Sequence, residues 1–443
     1  MMRTSVTAIL GCTVMMLSGA SLAGAQDTLQ LAVMQEAAVR VDPRVGQLDL
    51  LRSATDLRIA AIASERLPQI GINAWASHQS DVTRVSIDLP GTTLPTPARN
   101  RWQSTVDVEQ LLYDGGDNAR RRELERARHA ESAAGVQVVL YGLRSEVNAA
   151  FFSAFLLQQR AAEYEALVTD LDARLAAVRA RVEAGTALGR DAAEVEAERV
   201  RAILQMEEAQ ATRRASLVML SDLVGQPIDT TAVLVLPTEE PEKIESLTRA
   251  ELPSLRLRPE FERFRQVRAR LEREADLAGA ENRPRLSAFG QAGVGLPGLD
   301  QFRSTSDLFW QAGIRLQWRP WSWNSANRNA AALRMQQRAV EQDEQALARS
   351  LAREVVIHQE EITRLLAALS EDKRVVDLRT EIERQARAQH EEGTITTADY
   401  VETRTNVLEA RLLLQRHRVE LARARATLRI TLGFLPQEEA RRP

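Results

Sequence analysis

The residue types that most often carry metal or nucleophilic chemistry are scarce in this sequence, which has five histidines and one cysteine, Cys12. His358 and Glu361 are three residues apart in a segment with helical periodicity, a spacing that puts both side chains on one helix face. A metal site needs further ligands, and no pair of histidines has ligand spacing with a nearby set of carboxylates. The sequence therefore predicts neither a metal site nor an enzyme active site.

A glycine pattern in the second half, Gly293-Val-Gly295-Leu-Pro-Gly298, has the spacing of a dinucleotide-binding loop. A dinucleotide-binding loop is followed directly by an α-helix. Here Pro297 and the loop-like residues after it disfavour a helix at that place. We interpret this pattern as the end of a β-hairpin, and we expect no cofactor.

Composition excludes one class of partner and favours one kind of fold. The 58 basic and 61 acidic residues leave a net charge of −3, which gives no global attraction to nucleic acid. Aromatic residues make up 4% of the chain, as in long helices rich in alanine, leucine, glutamate and arginine that pack knobs into holes. We therefore expect a mostly α protein that does not bind nucleic acid.

Residues 1–25 have the pattern of an export signal peptide. Arg3 supplies the positive end, residues 6–17 are mostly apolar, and Ala23-Gly24-Ala25 matches a cleavage site of small residues. Residues 9–12 also resemble a lipoprotein processing box, which makes lipidation of Cys12 the alternative. We favour cleavage after Ala25, because the apolar stretch continues beyond Cys12, and the mature chain then has no cysteine.

The remainder of the chain is an internal duplication. Residues 183–191 are similar to residues 391–399 at an offset of 208 (391 minus 183), and Trp102 matches Trp310 at the same offset. Upstream the offset is 216 (259 minus 43), so eight extra residues lie between Ile70 and Trp102. The predicted organisation is repeat one over 26–227, a connector over 228–258, repeat two over 259–436 and a short tail over 437–443.

Each repeat is predicted to contain a helix, two strands, a very long helix, a tight turn and a further helix. No proline occurs in the 68 residues before Gly185 or Gly393, and that many helical residues span about 100 Å. We expect Asp117 and Ser325 to cap the starts of these helices, and the two glycines to end them in the left-handed conformation. Apolar residues at 4-3 spacing predict a coiled-coil seam. The seam residues are Leu167, Leu171, Leu175, Val178, Val182, Leu351, Val355, His358, Ile362, Leu365 and Leu369.

The predicted strands have the alternation of membrane strands. From Trp310 to Trp318 every second residue is apolar and those between are polar or glycine, and the segment from Trp102 repeats this pattern less cleanly. Apolar side chains toward lipid, polar ones toward a wet lumen and aromatics at the interfaces are typical of a transmembrane β-strand. We therefore place Trp102, Trp310 and Trp318 at membrane interfaces. Weaker strands after Pro68 and Pro284 bring the predicted number to four.

Four strands cannot close a barrel in lipid, since open edges leave backbone groups unpaired at several kcal/mol each, and barrels begin near eight strands. Other copies of the chain must supply the rest, and a dimer, trimer or tetramer would give eight, twelve or sixteen strands. Helices of about 100 Å then extend far beyond the membrane. A tube that crosses the periplasm is the natural interpretation.

These features together resemble the TolC-like outer-membrane factor family. The resemblance rests on the export signal, the two repeats, the motif Leu-Tyr-Asp-Gly-Gly ending at Gly116 and the Gly-Thr turns followed by aspartate, and it covers essentially the whole mature chain. It implies a homotrimer with a twelve-stranded barrel in the outer membrane and an α-helical tunnel in the periplasm. It also implies a passive exit duct that works with a periplasmic adaptor and an inner-membrane pump, without distinguishing drug, metal or protein export.

The resemblance also implies a gate at the periplasmic tip, where paired helices turn. The implied tip and gate residues are Gly185, Thr186, Asp191, Gly393, Thr394, Asp399 and Glu402. In a trimer each acid forms a ring of three carboxylates, which favours cations at the narrowest point. The alternative is that these acids only complement helix dipoles, because residues 396–399 resemble a capping box.

One position departs from the family pattern. Ile395 stands two residues after the glycine of the second turn, where well-studied members have arginine. Arg190, beside Asp191, is our candidate for a different ionic lock.

Two other classes of protein share some of these features. A periplasmic coiled-coil adaptor also uses long helical hairpins, but it should carry one hairpin between two halves of a small β-domain, whereas this chain has two hairpins that each follow membrane-like strands. A trimeric surface adhesin places its membrane strands at the end of the chain, where the residues after Gly433 are too few for a strand pair.

Overall fold

The computed structural model describes residues 28–82, 97–237, 255–300 and 305–434, so the predicted signal peptide, Cys12 and the tail after 436 lie outside the described residues. The α-helices are α1 (Leu31–Val41), α2 (Arg44–Ser64), α3 (Asp117–Glu183), α4 (Gly189–Val224), α5 (Pro259–Ala278), α6 (Ser325–Glu391) and α7 (Thr397–Leu432). The strands are β1 (Thr28–Gln30), β2 (Gln69–His78), β3 (Asn100–Tyr113), β4 (Val233–Val235), β5 (Arg285–Leu296) and β6 (Asp307–Gln317).

The long helices are present as predicted. Helices α3 and α6 each have 67 residues, about 100 Å, and α4 and α7 each return for 36 residues. The offset of 208 holds at the first and last residue of both pairs, for example from Glu183 to Glu391. The chain therefore forms two helical hairpins of equal length.

Both hairpins turn at a left-handed glycine, as predicted. Gly185 and Gly393 have a φ of 75°. The next residue in each turn donates its amide to a carbonyl five residues back, Thr186 to Arg181 and Thr394 to Gln389, both at 2.9 Å. This is a Schellman ending, in which glycine avoids the steric cost that a Cβ has in this conformation.

The predicted N-caps, Asp117 and Ser325, are wrong. Each is the first helical residue, and the cap positions are Gly116 and Asn324, both left-handed. Asp114 instead satisfies the start of α3, accepting hydrogen bonds from the amides of Gly116 at 2.8 Å and Asn118 at 2.9 Å. Two successive left-handed residues fold the chain back so that a carboxylate three residues upstream of the helix reaches its free N–H groups.

The predicted seams form the interior of the hairpins. Leu171 and its neighbours on α3 pack against Val195 and Ala202 on α4 and against Leu408 on α7. Leu351, Val355, Ile362 and Leu365 on α6 form a second cluster with Leu428 on α7. The seam members Val182, His358 and Leu369 are half-buried. The four hairpin helices contact one another in the order α4, α3, α7, α6, so one chain forms a segment of a helical wall.

Four strands form one antiparallel sheet in the order β2-β3-β5-β6, which leaves β2 and β6 as its edges. Directly paired residues lie on the same face, and one face is apolar across all four strands. Its members include Ile70, Ile72, Trp102, Val106, Val108, Leu286, Ala288, Ala292, Val294, Leu308, Trp310, Ala312, Ile314 and Leu316. Most of the large ones are exposed, with Ile72 at 78% and Leu308 at 87%. A single chain therefore presents a wide apolar surface that nothing within it covers.

The sequence prediction missed a second, small sheet. Strands β1 and β4 pair in parallel, so part of the predicted connector is a strand and the described residues contain six strands, not four. The side chain of Gln158 on α3 holds β4 in place, donating to the carbonyl of Leu234 and accepting from its amide, both at 3.1 Å. Strands of three residues show no readable alternation, which is why the sequence did not indicate them.

Two substitutions distinguish Asp114 from Asp117 as the residue that caps α3. Replacing Asp114, which is 8% exposed, by Ala removes the acceptor of the Gly116 and Asn118 amides at the start of α3 and should lower the free energy of unfolding by about 1–2 kcal/mol. Asp117→Ala should cost less, because Asp117 only forms a partly exposed ion pair with Arg285 at 3.5 Å. Chemical denaturation of the two variants in detergent measures the difference, and a larger loss for Asp117→Ala would contradict the assignment.

Candidate functional site

The first tip turn joins α3 to α4. Gly185 and Thr186 form its bend, and Asp191 caps α4 by accepting a hydrogen bond from the amide of Leu188 at 3.1 Å. The Nε of Arg190 lies 3.8 Å from a carboxylate oxygen of Asp191, so the ion pair that Arg190 makes is with its neighbour in sequence. A lock between hairpins through Arg190 stays a prediction.

The second tip turn joins α6 to α7 and contains the predicted capping box. The hydroxyl of Thr396 accepts from the amide of Asp399 at 3.1 Å, and the Asp399 carboxylate accepts from the Thr396 amide at 3.1 Å. The side-chain hydrogen bond from Thr396 to Asp399, followed by this backbone bond, lowers the pKa of Asp399. Asp399 and Glu402 are exposed, so both carboxylates are open to the solution at the tip.

A polar cluster above the tip joins the two hairpins, and the sequence prediction missed it. Tyr400, at the start of α7, is 2% exposed and donates its hydroxyl to Glu383 on α6 at 2.7 Å. The guanidinium of Arg174 on α3 lies 4.3 Å from the centre of the Tyr400 ring. Asp170 accepts from Arg174 at 2.7 Å and lies 3.3 Å from the Nε of Arg404. Charged groups from α3, α6 and α7 thus surround one buried ring.

Protonation in this cluster follows from its burial and charge. Burial raises the pKa of Asp170, but the hydrogen bond from Arg174 and the charge of Arg404 outweigh this and lower it. Burial, the largest effect, and the hydrogen bond to Glu383 raise the pKa of Tyr400. At neutral pH the cluster therefore holds an anionic aspartate, a neutral phenol and cationic arginines, the combination that its contacts favour.

His390 links this cluster to the second tip turn. Its ring stacks on Tyr400 with centroids 5.3 Å apart, and its Nε2 lies 3.2 Å from the Thr397 hydroxyl. Burial and the positive charges of Arg181 and Arg174 lower the pKa of His390. Since Arg181 belongs to the end of α3, the two tip turns lie close enough for their charges to interact.

The sheet carries a second polar surface on the face opposite the apolar one. A row of side-chain hydrogen bonds crosses all four strands at one level: Gln311 donates to Gln291 at 2.6 Å, Gln291 donates to Asp107 at 2.6 Å, and Asn73 donates to Asp107. Arg315 and Glu109 lie 3.6 Å apart on the same face. The sheet therefore separates an apolar side from a hydrogen-bonding side, as the alternation from Trp310 to Trp318 predicts.

The predicted interface tryptophans occupy different places around the apolar face. Trp102 on β3 is 37% exposed, and Trp310 on the edge strand β6 is 74% exposed. Trp318 follows the end of β6 and donates its indole N–H to the carbonyl of Asn282 at 3.1 Å. Their contact with lipid stays a prediction.

The residues considered for metal or dinucleotide binding from the sequence can be located in the structure. No group of three or more His, Cys, Asp or Glu side chains in the described residues could hold a metal ion. Glu361, the neighbour of His358, accepts two hydrogen bonds from Arg364, at 2.7 and 2.9 Å. Gly293 and Gly295 lie inside β5 and Pro297 follows its end, so the glycine pattern ends a strand and opens no helix. Among the described residues, no helix is both long and apolar enough to cross a membrane.

Solved outer-membrane channels share this fold. The chain superposes on CusC, from work on its folding and transmembrane channel formation, with a TM-score of 0.68 at 14% identity over 91% of this chain and 92% of CusC. For the outer-membrane channel OprN the TM-score is 0.62 at 19% identity, over 91% and 89%. For the open state of the Neisseria gonorrhoeae MtrE outer-membrane channel it is 0.64 at 16% identity, over 91% and 88%.

No protein-family model and no curated protein matches the sequence. The similarity to the solved structures, at identities below 20%, shows the fold. The chain has the fold of outer-membrane channels along nearly its whole length, which confirms the fold that the resemblance to TolC-like outer-membrane factors implies.

The lowered pKa of His390 predicts an acid-sensitive tip. A histidine with a lower pKa in the folded chain than in the unfolded chain binds fewer protons when folded, so it adds stability above about pH 6.5 that is lost as the pH falls. The thermal midpoint should drop between pH 7.5 and pH 5.5, and this drop should shrink in His390→Gln, which does not titrate. An equal drop in both proteins would show that His390 is not responsible.

Proposed function

We propose that this chain is one subunit of a passive outer-membrane exit channel, in which copies of the chain close a β-barrel in the membrane and a helical tunnel in the periplasm. The observation that carries this proposal is the continuous apolar face of a four-stranded sheet with two open edges, joined directly to helices of about 100 Å. The shared fold with outer-membrane channels over 91% of the chain supports it.

The edges of the sheet suit closure by identical copies. In the order β2-β3-β5-β6 every neighbour is antiparallel, so β2 and β6 run in opposite directions. The β6 edge of one copy can therefore pair antiparallel with the β2 edge of the next, in a head-to-tail ring. Three copies close the ring with twelve strands, the number that the resemblance implies. Closure pairs the edge N–H and C=O groups, which cost several kcal/mol each if left bare in lipid.

The helical wall suits the same closure. Helix α4 lies at one end of the wall and exposes Leu204 at 59%, whereas α6 lies at the other end and exposes Leu378 at 56% and Ile382 at 47%. Arg199 on α4 pairs with Asp172 on α3, so this part of α4 is level with residue 172. Residue 380 of α6, which is 208 further on, has the same level because the hairpins match in length. Leu204 lies five residues farther from the tip than Arg199, and Leu378 lies two residues farther than residue 380, so these two side chains are within about 5 Å of one level and can bury each other between copies.

In this proposal the helical wall and the sheet form a conduit, and we identify no nucleotide-binding site in the described residues that could drive transport. We infer that the chain works with an inner-membrane pump and a periplasmic adaptor that meets the two tip turns, the arrangement that the family resemblance implies. Specificity for a drug, a metal ion or a polypeptide would then lie mainly in these partners.

We infer that Asp399 and Glu402, with Asp191, line the periplasmic opening. Asp399 and Glu402 are exposed and follow a tip turn, so three copies would place at least six carboxylates around the axis. The cluster of Arg174 and Tyr400 directly above ties one hairpin to the other and would resist their separation. Opening then requires this cluster to rearrange or the hairpins to move together.

The alternative, a periplasmic adaptor or scaffold, is less well supported. It would leave the apolar face of the sheet in water, where Ile72, Ile314 and Trp310 are each at least 69% exposed. A surface of this size is rarely left bare in a soluble protein. Two hairpins with equivalent boundaries also fit a ring wall better than a single adaptor arm.

Single-channel recording tests the proposed function. The purified full-length protein should have the mass of three copies in detergent and give a small, cation-selective conductance in planar bilayers. Deleting residues 310–318 removes most of an edge strand and should abolish membrane insertion. A water-soluble monomer without conductance would contradict the channel and favour the adaptor.

A second recording tests the acids at the opening. Asp399→Ala with Glu402→Ala removes two carboxylates per copy and should lower the cation preference. The matched pair Asp399→Asn with Glu402→Gln removes the same charge but keeps hydrogen-bonding groups for the cap. Both variants should change selectivity alike if charge at a constriction matters. Unchanged selectivity in the amide pair would assign Asp399 to capping alone.

A further inference from the structure

The place where a strand passes into a long helix occurs twice in the chain, and the first of these junctions is tightly packed. The carbonyl of Gly115, just after β3, accepts a hydrogen bond from Arg283, just before β5, at 3.1 Å. A Cβ added to Gly115 would lie 2.5 Å from the Cβ of Arg283. Repeat one therefore meets repeat two at a junction that admits no side chain at position 115.

The second junction has the same backbone but a very different side chain. Trp323, which corresponds to Gly115 at the offset of 208, has a φ of 49°, and Asn324, which corresponds to Gly116, has a φ of 62°. In the described residues these two are the non-glycine residues with left-handed φ. A bulky side chain is disfavoured in this conformation, so the chain keeps a tryptophan where glycine would relieve strain. Trp323 is also 79% exposed.

The counterpart of Arg283 identifies what faces this tryptophan. At the upstream offset of 216, Arg283 corresponds to Leu67, just before β2, and Leu67 is 61% exposed. Gly115 and Arg283 meet because β3 pairs with β5. When the β6 edge of one copy pairs with the β2 edge of the next, the equivalent positions that meet are 323 and 67. The junction within one chain thus pairs a small residue, Gly115, with a charged one, Arg283. The equivalent positions beside the two edge strands hold large apolar residues, Trp323 and Leu67.

We propose that Trp323 packs against Leu67 of the partner subunit and forms a wedge between neighbouring copies of the channel. This inference rests on the closed oligomer of the proposed function. The junction between copies is then wider than the junction within the chain, because it must hold an indole where the other holds no side chain. Trp321 orients the wedge, since its ring meets that of Trp323 edge to face with centroids 5.7 Å apart.

The wedge makes neighbouring junctions around the ring unequal. Narrow junctions within chains alternate with wide junctions between chains, so a free edge cannot substitute for an internal pairing. The pair of Trp323 and Leu67 of the partner subunit thereby favours assembly of complete chains in head-to-tail order.

Cysteine cross-linking tests this contact. In full-length protein with Cys12→Ser, the pair Leu67→Cys and Trp323→Cys should give disulfide-linked oligomers on a non-reducing gel that collapse to one chain after reduction. The single variants Leu67→Cys and Trp323→Cys are the matched controls, and each alone should stay at the size of one chain on the same gel. If the pair stays at the size of one chain while its mass in detergent is that of an oligomer, the contact is wrong but the channel stands. If no oligomer forms even for the unaltered protein, the proposed function itself fails.

Trp323→Gly gives a second test that does not depend on disulfide geometry. It restores the residue of the other junction and relieves the left-handed strain, so the chain should still fold. Loss of a buried indole between copies should weaken association about tenfold or more, measured as dissociation of the oligomer with rising detergent. An unchanged association of the Trp323→Gly variant would overturn the wedge.

Discussion

The hydrogen bonds that β2 and β6 leave unmade at the two edges of the sheet constrain everything else in the proposed assembly. Inside a single chain these groups have no partner strand, and in a hydrocarbon environment each would cost several kcal/mol. Pairing them with another copy fixes the head-to-tail order, the relative height of neighbouring chains and therefore which helix flanks meet. In this assembly Leu204 on α4 and Leu378 on α6 would lie at nearly the same height, because the two hairpins have equivalent bounds.

Much of this fold can be predicted from the sequence because the same structural unit occurs twice in the chain, and each copy supports the interpretation of the other. One offset of 208 located both hairpins, and the glycines at 185 and 393 marked turns whose left-handed geometry strongly favours that residue. The alternation from Trp310 to Trp318 predicted a strand with one apolar and one polar face, because successive side chains of a β-strand point to opposite sides of the sheet.

The parts that the sequence did not indicate depend on contacts between distant residues. Asp114 caps α3 only because two left-handed residues bring its carboxylate back to the helix, whereas Asp117 looked like the cap by position alone. Strands β1 and β4 are three residues long and pair across some 200 positions. The cluster of Arg174, Glu383 and Tyr400 unites three helices, and none of its members stands out in the spacing of its own helix.

The equal, uninterrupted length of α3 and α6 has a mechanical consequence. Proline is absent from both 67-residue helices, so they have no proline kink to act as a hinge, and in the proposed channel each hairpin would move as one arm about the strand-to-helix junction. A tilt of 3° at that junction displaces the far end of a 100 Å arm by about 5 Å. In the proposed assembly, the same displacement in every copy would change the width of the periplasmic opening by about 10 Å. Small adjustments beside the membrane are thereby amplified into large ones at the opposite end, with no hinge needed in the helices themselves.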